Sequence, residues 1–204
     1  MGRRSDHTRP QLSELILREG QAHLAQVGFA AFSAREVAKR VGYSIGTLYN
    51  VFGSYDGLML AINGRTLTDW HDALAAALQA APLDDPQARL HAAIRAYFDF
   101  ATANRHVWTA LYDFRLPPDA PMPADYAAKL AGLTGLVVAE VAAALPPARR
   151  DAAPALARSL LACVHGHCFF ALNGTFALLG EDDPLGAALA RVAEAIAAAQ
   201  GPAA

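Results

Sequence analysis

The spacing of apolar and polar positions in the first third of the chain predicts two short helices joined by a tight turn. Ser33 stands before the first apolar-periodic stretch, and an acidic residue follows three positions later, which is the spacing of a helix-capping box. Gly42 ends that helix, because glycine readily takes the left-handed backbone conformation found at helix ends. Ser44 caps the next helix, which reaches about Phe52. The pattern indicates a helix-turn-helix.

The second of these helices has one apolar face and one face with no evident core role. At 3.6 residues per turn, Leu48, Val51 and Phe52 fall on the side that meets the preceding helix. The opposite side carries Ile45, Gly46, Tyr49 and Asn50. In a helix-turn-helix the second helix can lie in the DNA major groove, so this open face is a candidate reading surface. An ordinary helical hairpin with a solvated face is the alternative interpretation.

Helical periodicity continues along the rest of the chain, with no strand pattern and no internal repeat. Further helices are predicted over about 11–27, 55–80 and 86–103, and a short helix begins shortly after residue 104. After a proline-rich loop at 116–123, one helix continues to about 145, another covers 151–179, and the last begins at 184. The predicted fold is therefore all-α with about nine helices.

The last two predicted helices are rich in Ala, Leu and Gly on more than one face. A helix that is apolar nearly all round must be buried, and a chain of 204 residues has limited interior for two of them. Pairing with the same helices of a second copy forms a four-helix bundle, so the sequence predicts a homodimer.

Charge is distributed unevenly along the chain. The formal net charge is −2, yet residues 1–62 hold seven Lys and Arg against five Asp and Glu, while residues 63–204 hold ten against fourteen. The basic excess coincides with the helix-turn-helix, which favours a nucleic-acid partner. Residues 1–9, with three arginines, form a predicted N-terminal arm that either reaches DNA or is a frayed, solvated terminus.

Composition favours a soluble, cytoplasmic protein without a membrane partner. No run of 18 uninterrupted apolar residues is present, and the N-terminus lacks a secretory pattern. Cys163 and Cys168 stand five positions apart on one predicted helix. They form no disulfide framework, which is consistent with a reducing compartment.

Residues 11–62 resemble the DNA-binding domain of TetR-type transcriptional regulators. The resemblance rests on Gly28-Phe29, Ser33, Gly46-Thr47-Leu48-Tyr49, Phe52 and Ser54-Tyr55-Asp56. It implies a DNA-binding domain over residues 1–54 and a ligand-binding and dimerisation domain over residues 55–204. The family usually has Lys at the position of Tyr55, where it meets a DNA phosphate. A phenol brings no charge, so a shallower salt dependence of DNA binding is expected.

The same resemblance assigns roles to residues of the motif. Arg35 is the candidate for a bidentate guanine contact. Ile45, Gly46, Tyr49 and Asn50 are expected to face bases or the adjacent backbone. Ser33, Thr47 and Tyr55 are expected to bind DNA phosphates, and the helix N-terminus at Ser44 is expected to assist them.

The C-terminal part resembles the ligand-binding domain of a TetR subgroup named for a Trp-His-Gly signature. The resemblance rests on Asn104-Arg105-His106-Val107-Trp108, Asp113-Phe114-Arg115-Leu116-Pro117 and His165-Gly166. The tryptophan expected shortly before His165 is absent. Candidate residues for an effector pocket are Trp108, Tyr112, Asp113, His165 and Phe169. For most of these aromatic side chains, the alternative interpretation is that they pack in the core.

The segment from Cys163 to Cys168 is the strongest candidate for metal chemistry, because it holds two Cys and two His within six positions. At about 100° per residue, however, Cys163 and His167 share one helix face while the other two ligands lie toward the opposite side. One helix cannot bring all four to a single ion, so no metal site is predicted. A two-ligand site completed across a dimer axis is the alternative.

These features predict a dimeric, ligand-responsive repressor that a small, apolar effector releases from a palindromic DNA operator. No enzyme activity or resident cofactor is expected, because the sequence shows no Gly-x-Ser-x-Gly, His-Glu-x-x-His or phosphate-cradling glycine loop. The alternatives are a regulator that a metal or ligand activates, and a C-terminal enzyme or partner-binding module.

Overall fold

A computed structural model describes residues 7–117 and 119–201, and within those ranges it contains ten α-helices and no strand. The all-α prediction is confirmed. The helices are α1 (Arg9–Val27), α2 (Ala34–Val41), α3 (Ile45–Phe52), α4 (Tyr55–Ala80), α5 (Pro86–Ala103), α6 (Arg105–Asp113), α7 (Ala124–Ala143), α8 (Ala153–Leu172), α9 (Thr175–Leu179) and α10 (Pro184–Gln200).

The first helix begins earlier than the sequence pattern predicts. The Thr8 side chain accepts a hydrogen bond from the Gln11 N–H, and the Gln11 side chain accepts one from the Thr8 N–H, so the two form a capping box. Arg9 is therefore the first residue of α1 and not part of a preceding arm. Residues 1–6, with the other two arginines of the predicted arm, lie outside the described residues.

The predicted single helix over 151–179 is wrong, because the structure divides it. A 3₁₀ turn, Pro147–Ala152, precedes α8, and α8 ends at Leu172. Gly174 then takes a left-handed conformation with φ of 80° before α9 begins. The Asn173 side chain stabilises the break by accepting hydrogen bonds from the Thr175 N–H and hydroxyl.

The chain divides into two compact units. The first comprises the chain up to Asp69 together with Asn104–Lys129, and the second comprises Trp70–Ala103 together with the chain from Leu130 onward. Helix α4 contributes residues to both units. The functional division between residues 54 and 55 does not coincide with these packing units and stays a prediction.

Each unit has its own apolar core. In the first, α1, α2, α3, α4 and α6 bury a common cluster that includes Ile16, Val37 and Leu48, all with no exposed surface. In the second, the Trp70 ring stacks on Phe100 with centroids 5.6 Å apart and planes at 7°. Aromatic contacts of this kind fix α4 against α5 within that unit.

Candidate DNA-reading surface and apolar cavity

The N-terminus of α2 is held by a hydrogen-bonded chain that starts in α1. The Ser33 hydroxyl accepts a hydrogen bond from the Glu36 N–H at 3.3 Å, as the capping pattern predicts. The Ser33 N–H in turn donates to Nε2 of His23 at 3.3 Å. His23 is buried and packs against the Phe32 ring. The sequence pattern carries no signal for His23, because its hydrogen-bond partner Ser33 caps a different helix.

Arg35 is exposed in the first turn of α2 and makes no ion pair or hydrogen bond with the residues that the structure describes. The neighbouring cations are engaged: Lys39 and Arg40 lie 3.7 Å and 3.9 Å from the Glu36 carboxylate. Arg35 is therefore the guanidinium of α2 that is available for a bidentate contact to an external acceptor.

Helix α3 follows a three-residue turn in which Gly42 has φ of 75° and ψ of 25°, the left-handed conformation predicted for it. The Ser44 hydroxyl accepts a hydrogen bond from the Thr47 N–H at 3.1 Å and lies 3.0 Å from the Thr47 hydroxyl. Leu48 anchors the helix in the core with no exposed surface. These contacts fix α3 against the core and leave Gly46 and Asn50 exposed.

The predicted reading face of α3 is open at Gly46 and Asn50, which are exposed. A Cβ placed at Gly46 would meet only the Ser44 hydroxyl within 4 Å, so another molecule can approach the backbone closely there. Tyr49 is half-buried. Ile45 packs partly against the apolar core, so the expectation that it has no core role is wrong.

Tyr55 opens α4 and packs partly against the same core, with its ring 6.2 Å from that of Phe32. Burial, followed by the charge of Asp56, raises the pKa of the Tyr55 hydroxyl. The phenol is therefore protonated near neutral pH and can donate a hydrogen bond to a phosphate oxygen. Tyr43 lies in the turn between α2 and α3, and its hydroxyl is 3.0 Å from Nδ1 of His7.

The second unit contains an apolar cavity of about 50 Å³. Its lining comes from α5, α7, α8 and α10: Leu90, Ala93, Ile94, Tyr97, Val137, Val141, Leu160, Leu161, Val164 and Val192. Among them Tyr97 brings the one hydroxyl, which lies 2.9 Å from Nδ1 of His165. Desolvation by burial lowers the pKa of His165, so the neutral imidazole is favoured.

The five residues predicted for an effector pocket fall into two groups. Trp108, Tyr112 and Asp113 belong to α6 in the first unit, where Trp108 is fully buried and meets the Tyr112 ring edge-on at 5.2 Å. His165 and Phe169 belong to α8 in the second unit, with ring centroids 6.0 Å apart. Their common role in an effector pocket stays a prediction.

The Cys163–Cys168 segment is a continuous part of α8. Nδ1 of His167 lies 2.9 Å from the Cys163 carbonyl oxygen and 3.8 Å from the Cys163 sulfur, so these two share a face as predicted. Cys168 is fully buried, and burial raises its pKa to about 12. Within the described residues no three His, Cys, Asp or Glu side chains are grouped closely enough to hold a metal ion.

A partly buried ion pair joins α5 to α7 in the second unit, next to the cavity. Arg89 on α5 donates from Nε and Nη2 to the two carboxylate oxygens of Glu140 on α7, at 2.7 Å and 2.6 Å. Glu140 is only 7% exposed. The hydrogen bond to Glu140 raises the pKa of Arg89. The sequence pattern singles out neither residue, because each is one ordinary charge in a helix and they are 51 positions apart.

A helix-turn-helix with an exposed arginine and an open α3 face, followed by a helical unit with an apolar cavity, defines a DNA-binding transcriptional regulator. Family models agree. Residues 16–62 match "Bacterial regulatory proteins, tetR family", and residues 90–196 match "Tetracyclin repressor-like, C-terminal domain". The chain belongs to the TetR family of transcriptional regulators, which are not enzymes.

Individual relatives place the chain in the same family. It is 33% identical over 154 residues to the HTH-type transcriptional regulator BetI of Burkholderia thailandensis, covering 73% of this chain and 75% of that one. It is also 33% identical over 90 residues to BetI 2 of Chromohalobacter salexigens, covering 44% of each chain. A solved structure of a Rhodococcus sp. RHA1 protein of unknown function superimposes with a TM-score of 0.74 at 23% identity, covering 94% and 97% of the two chains.

Two segments have the length and apolar composition of membrane spans, namely Ala124–Ala143 and Pro147–Leu172, each with mean hydropathy 1.4. One or two such helices are a weak indication, because helices of soluble proteins meet the same criterion. Members of this family are soluble DNA-binding proteins. Within one chain, 17% of the apolar window in the first segment and 22% of that in the second are buried.

Proposed function

We propose that the protein is a cytoplasmic, homodimeric repressor that an apolar effector releases from a palindromic operator. The observation that carries the proposal is the exposed Arg35 of α2 together with the open face of α3, in a chain whose other unit contains an apolar cavity. Arg35 reads a guanine edge, while Ile45, Gly46, Tyr49 and Asn50 face bases or the adjacent backbone. Ser33, Thr47 and Tyr55 bind phosphates, supported by the N-terminus of α3 at Ser44.

A second copy of the chain covers the apolar surface of α8 and the segment after it. Phe169 and Phe170 are 43% and 40% exposed, and Leu178 and Leu179 of α9 are 89% and 68% exposed. Several large apolar side chains exposed within one segment are typical of an interface. Pairing through α8 and α10 forms a four-helix bundle and presents two α3 helices to two half-sites.

The effector binds in the cavity of the second unit and must enlarge it. At about 50 Å³ the cavity is much smaller than ligand pockets, which are roughly 300–1,000 Å³. Its aliphatic lining favours an apolar molecule, with the Tyr97 hydroxyl as a polar contact. An effector that prefers the enlarged cavity shifts the population away from the operator-binding form. Helix α4 transmits this shift, since its residues, from Tyr55 to Ala80, belong to both units.

The test is a pull-down of sheared genomic DNA from the source organism at moderate salt, followed by sequencing of the retained fragments. We expect enrichment of one or a few palindromic sites, and their release when small-molecule extract of the same cells is added. Only unspecific, salt-sensitive retention contradicts the proposed repressor. Retention that requires the extract supports activation by a ligand instead.

A further inference from the structure

The side chain of Arg89 joins three helices of the second unit. Its Nε and Nη2 donate to the carboxylate of Glu140 on α7, and its Nη1 donates to the Leu78 carbonyl oxygen in the last turn of α4 at 2.9 Å. Arg89 itself lies in the first turns of α5. The guanidinium is planar, with its donors in a rigid fork, so these three contacts fix one another's positions.

The Leu78 carbonyl oxygen depends on Arg89 for a reason visible in the sequence. In a continuing helix this oxygen would accept from the backbone N–H four positions later, but that position is Pro82, which has no N–H. Helix α4 accordingly ends at Ala80. Arg89 satisfies the acceptor that proline leaves open, and so holds the end of α4.

The same residues adjoin the walls of the cavity. Leu90 follows Arg89 on α5 and lines the cavity, and Val141 follows Glu140 on α7 and also lines it. A molecule that enlarges the cavity pushes on α5 and α7 as well as on α8 and α10, because side chains of all four helices form its wall. A bidentate pair with a buried carboxylate resists separation, since breaking it would leave the charge of Glu140 buried and unpaired.

We infer that Arg89, held by Glu140, is the positioning residue that transmits the widening of the cavity to the C-terminal end of α4. The inference rests on the proposed function, because it takes the cavity as the effector site. When α5 moves, the guanidinium moves with it and displaces the Leu78 carbonyl. A lysine at the same position keeps the charge but lacks the fork, so it cannot hold the carboxylate and the carbonyl in one fixed geometry.

A substitution that fills the cavity serves as the probe in place of an effector. Ala93→Leu adds an aliphatic group to the cavity wall, and Ala103→Leu adds the same group at the exposed last position of α5 as its control. Each is combined with Arg89→Lys, or with Arg95→Lys as the matched arginine control at an exposed position of the same helix. The readout is the Kd for an operator fragment from the pull-down, measured by fluorescence anisotropy.

We expect Ala93→Leu to weaken operator binding about tenfold in the wild-type and Arg95→Lys backgrounds, but to have little effect with Arg89→Lys. An equal loss in all backgrounds overturns the role of Arg89 while leaving the cavity as the effector site. Unchanged operator affinity of Ala93→Leu alone overturns both the inference and the cavity proposal.

A second variant guards against misfolding caused by an unpaired buried charge. Arg89→Met combined with Glu140→Leu removes both charges and keeps the side-chain bulk, a change that buried ion pairs often tolerate. Circular dichroism and the operator Kd without the cavity probe establish that this protein is folded and binds DNA. Insensitivity of its operator affinity to Ala93→Leu supports the inference, and a tenfold loss overturns it.

Discussion

Nε2 of His23 accepts a hydrogen bond from the backbone N–H of Ser33, at 3.3 Å. The bond joins α1 to the residue that caps α2, so it orients the helix that carries Arg35. Because Nε2 is the acceptor, the proton of the neutral ring is on Nδ1. A protonated ring carries hydrogen on both nitrogens and cannot accept this bond.

The stability of the protein should therefore fall in mild acid through His23. Desolvation by burial, followed by the charge of Arg40, lowers the pKa of His23, while Glu36 opposes the shift. A histidine whose folded pKa is depressed contributes stability above its unfolded pKa, about 6.5, and loses it as pH falls toward the folded pKa. We expect urea midpoints to decrease from pH 7.5 to 5.5.

Two variants isolate this effect. His23→Gln keeps an acceptor for the Ser33 N–H but does not titrate, so its urea midpoint should depend less on pH than that of the wild type. His91→Gln, at an exposed position of α5, is the control and should retain the wild-type pH dependence. The same pH dependence in His23→Gln and the wild type would contradict the role of His23.

Arg35→Ala should cost about 1–3 kcal/mol of operator binding and relax the sequence preference. The cost arises because a bidentate guanidinium contact distinguishes guanine from other bases. Arg18→Ala, on an exposed arginine of α1 that pairs with Glu19, is the control and should change little. Competition titrations with operator and random DNA measure both effects. An equal loss on both DNAs would make Arg35 a phosphate contact rather than a base contact.

Substituting Tyr55 should change the salt dependence of DNA binding in a defined way. Tyr55→Lys adds a charge next to the proposed phosphate and should steepen the slope of log Kd against log salt by about one. Tyr55→Phe removes the hydroxyl without changing charge, so affinity should fall while the slope stays constant. Identical slopes for Tyr55→Lys and the wild type would indicate that no phosphate lies at this position.

Gly57→Ala should destabilise the protein, whereas Gly132→Ala should not. A Cβ at Gly57 would collide with the Phe52 carbonyl oxygen, and backbone cannot yield as a flexible side chain can. Strain of this kind typically costs about 1–3 kcal/mol. At Gly132, an exposed position in α7, a Cβ meets nothing within 4 Å, so alanine should stabilise by up to about 1 kcal/mol. Urea unfolding of the two variants measures the difference.

Several elements could be predicted from the sequence because their signals are local. The bounds of α4 and α5 agree with the predicted ones, since Pro86 at the start of α5 acts on adjacent backbone. The caps at Ser33 and Ser44 are likewise local, and both make the expected hydrogen bonds. The break at Gly174 was missed, because an isolated glycine is also tolerated within a helix.

The sequence by itself determined the all-α class and the helix-turn-helix, because capping, turn and periodicity signals act over a few residues. The family was identified by the resemblance of the motif around Gly46-Thr47-Leu48-Tyr49 to TetR-type regulators. Tertiary structure decided which buried groups meet. The contact of His23 with Ser33, the pairing of Arg89 with Glu140 and the cavity all depend on the packing of separate helices. Sequence spacing carries no signal for such contacts, since helix packing, and not chain proximity, brings their side chains together.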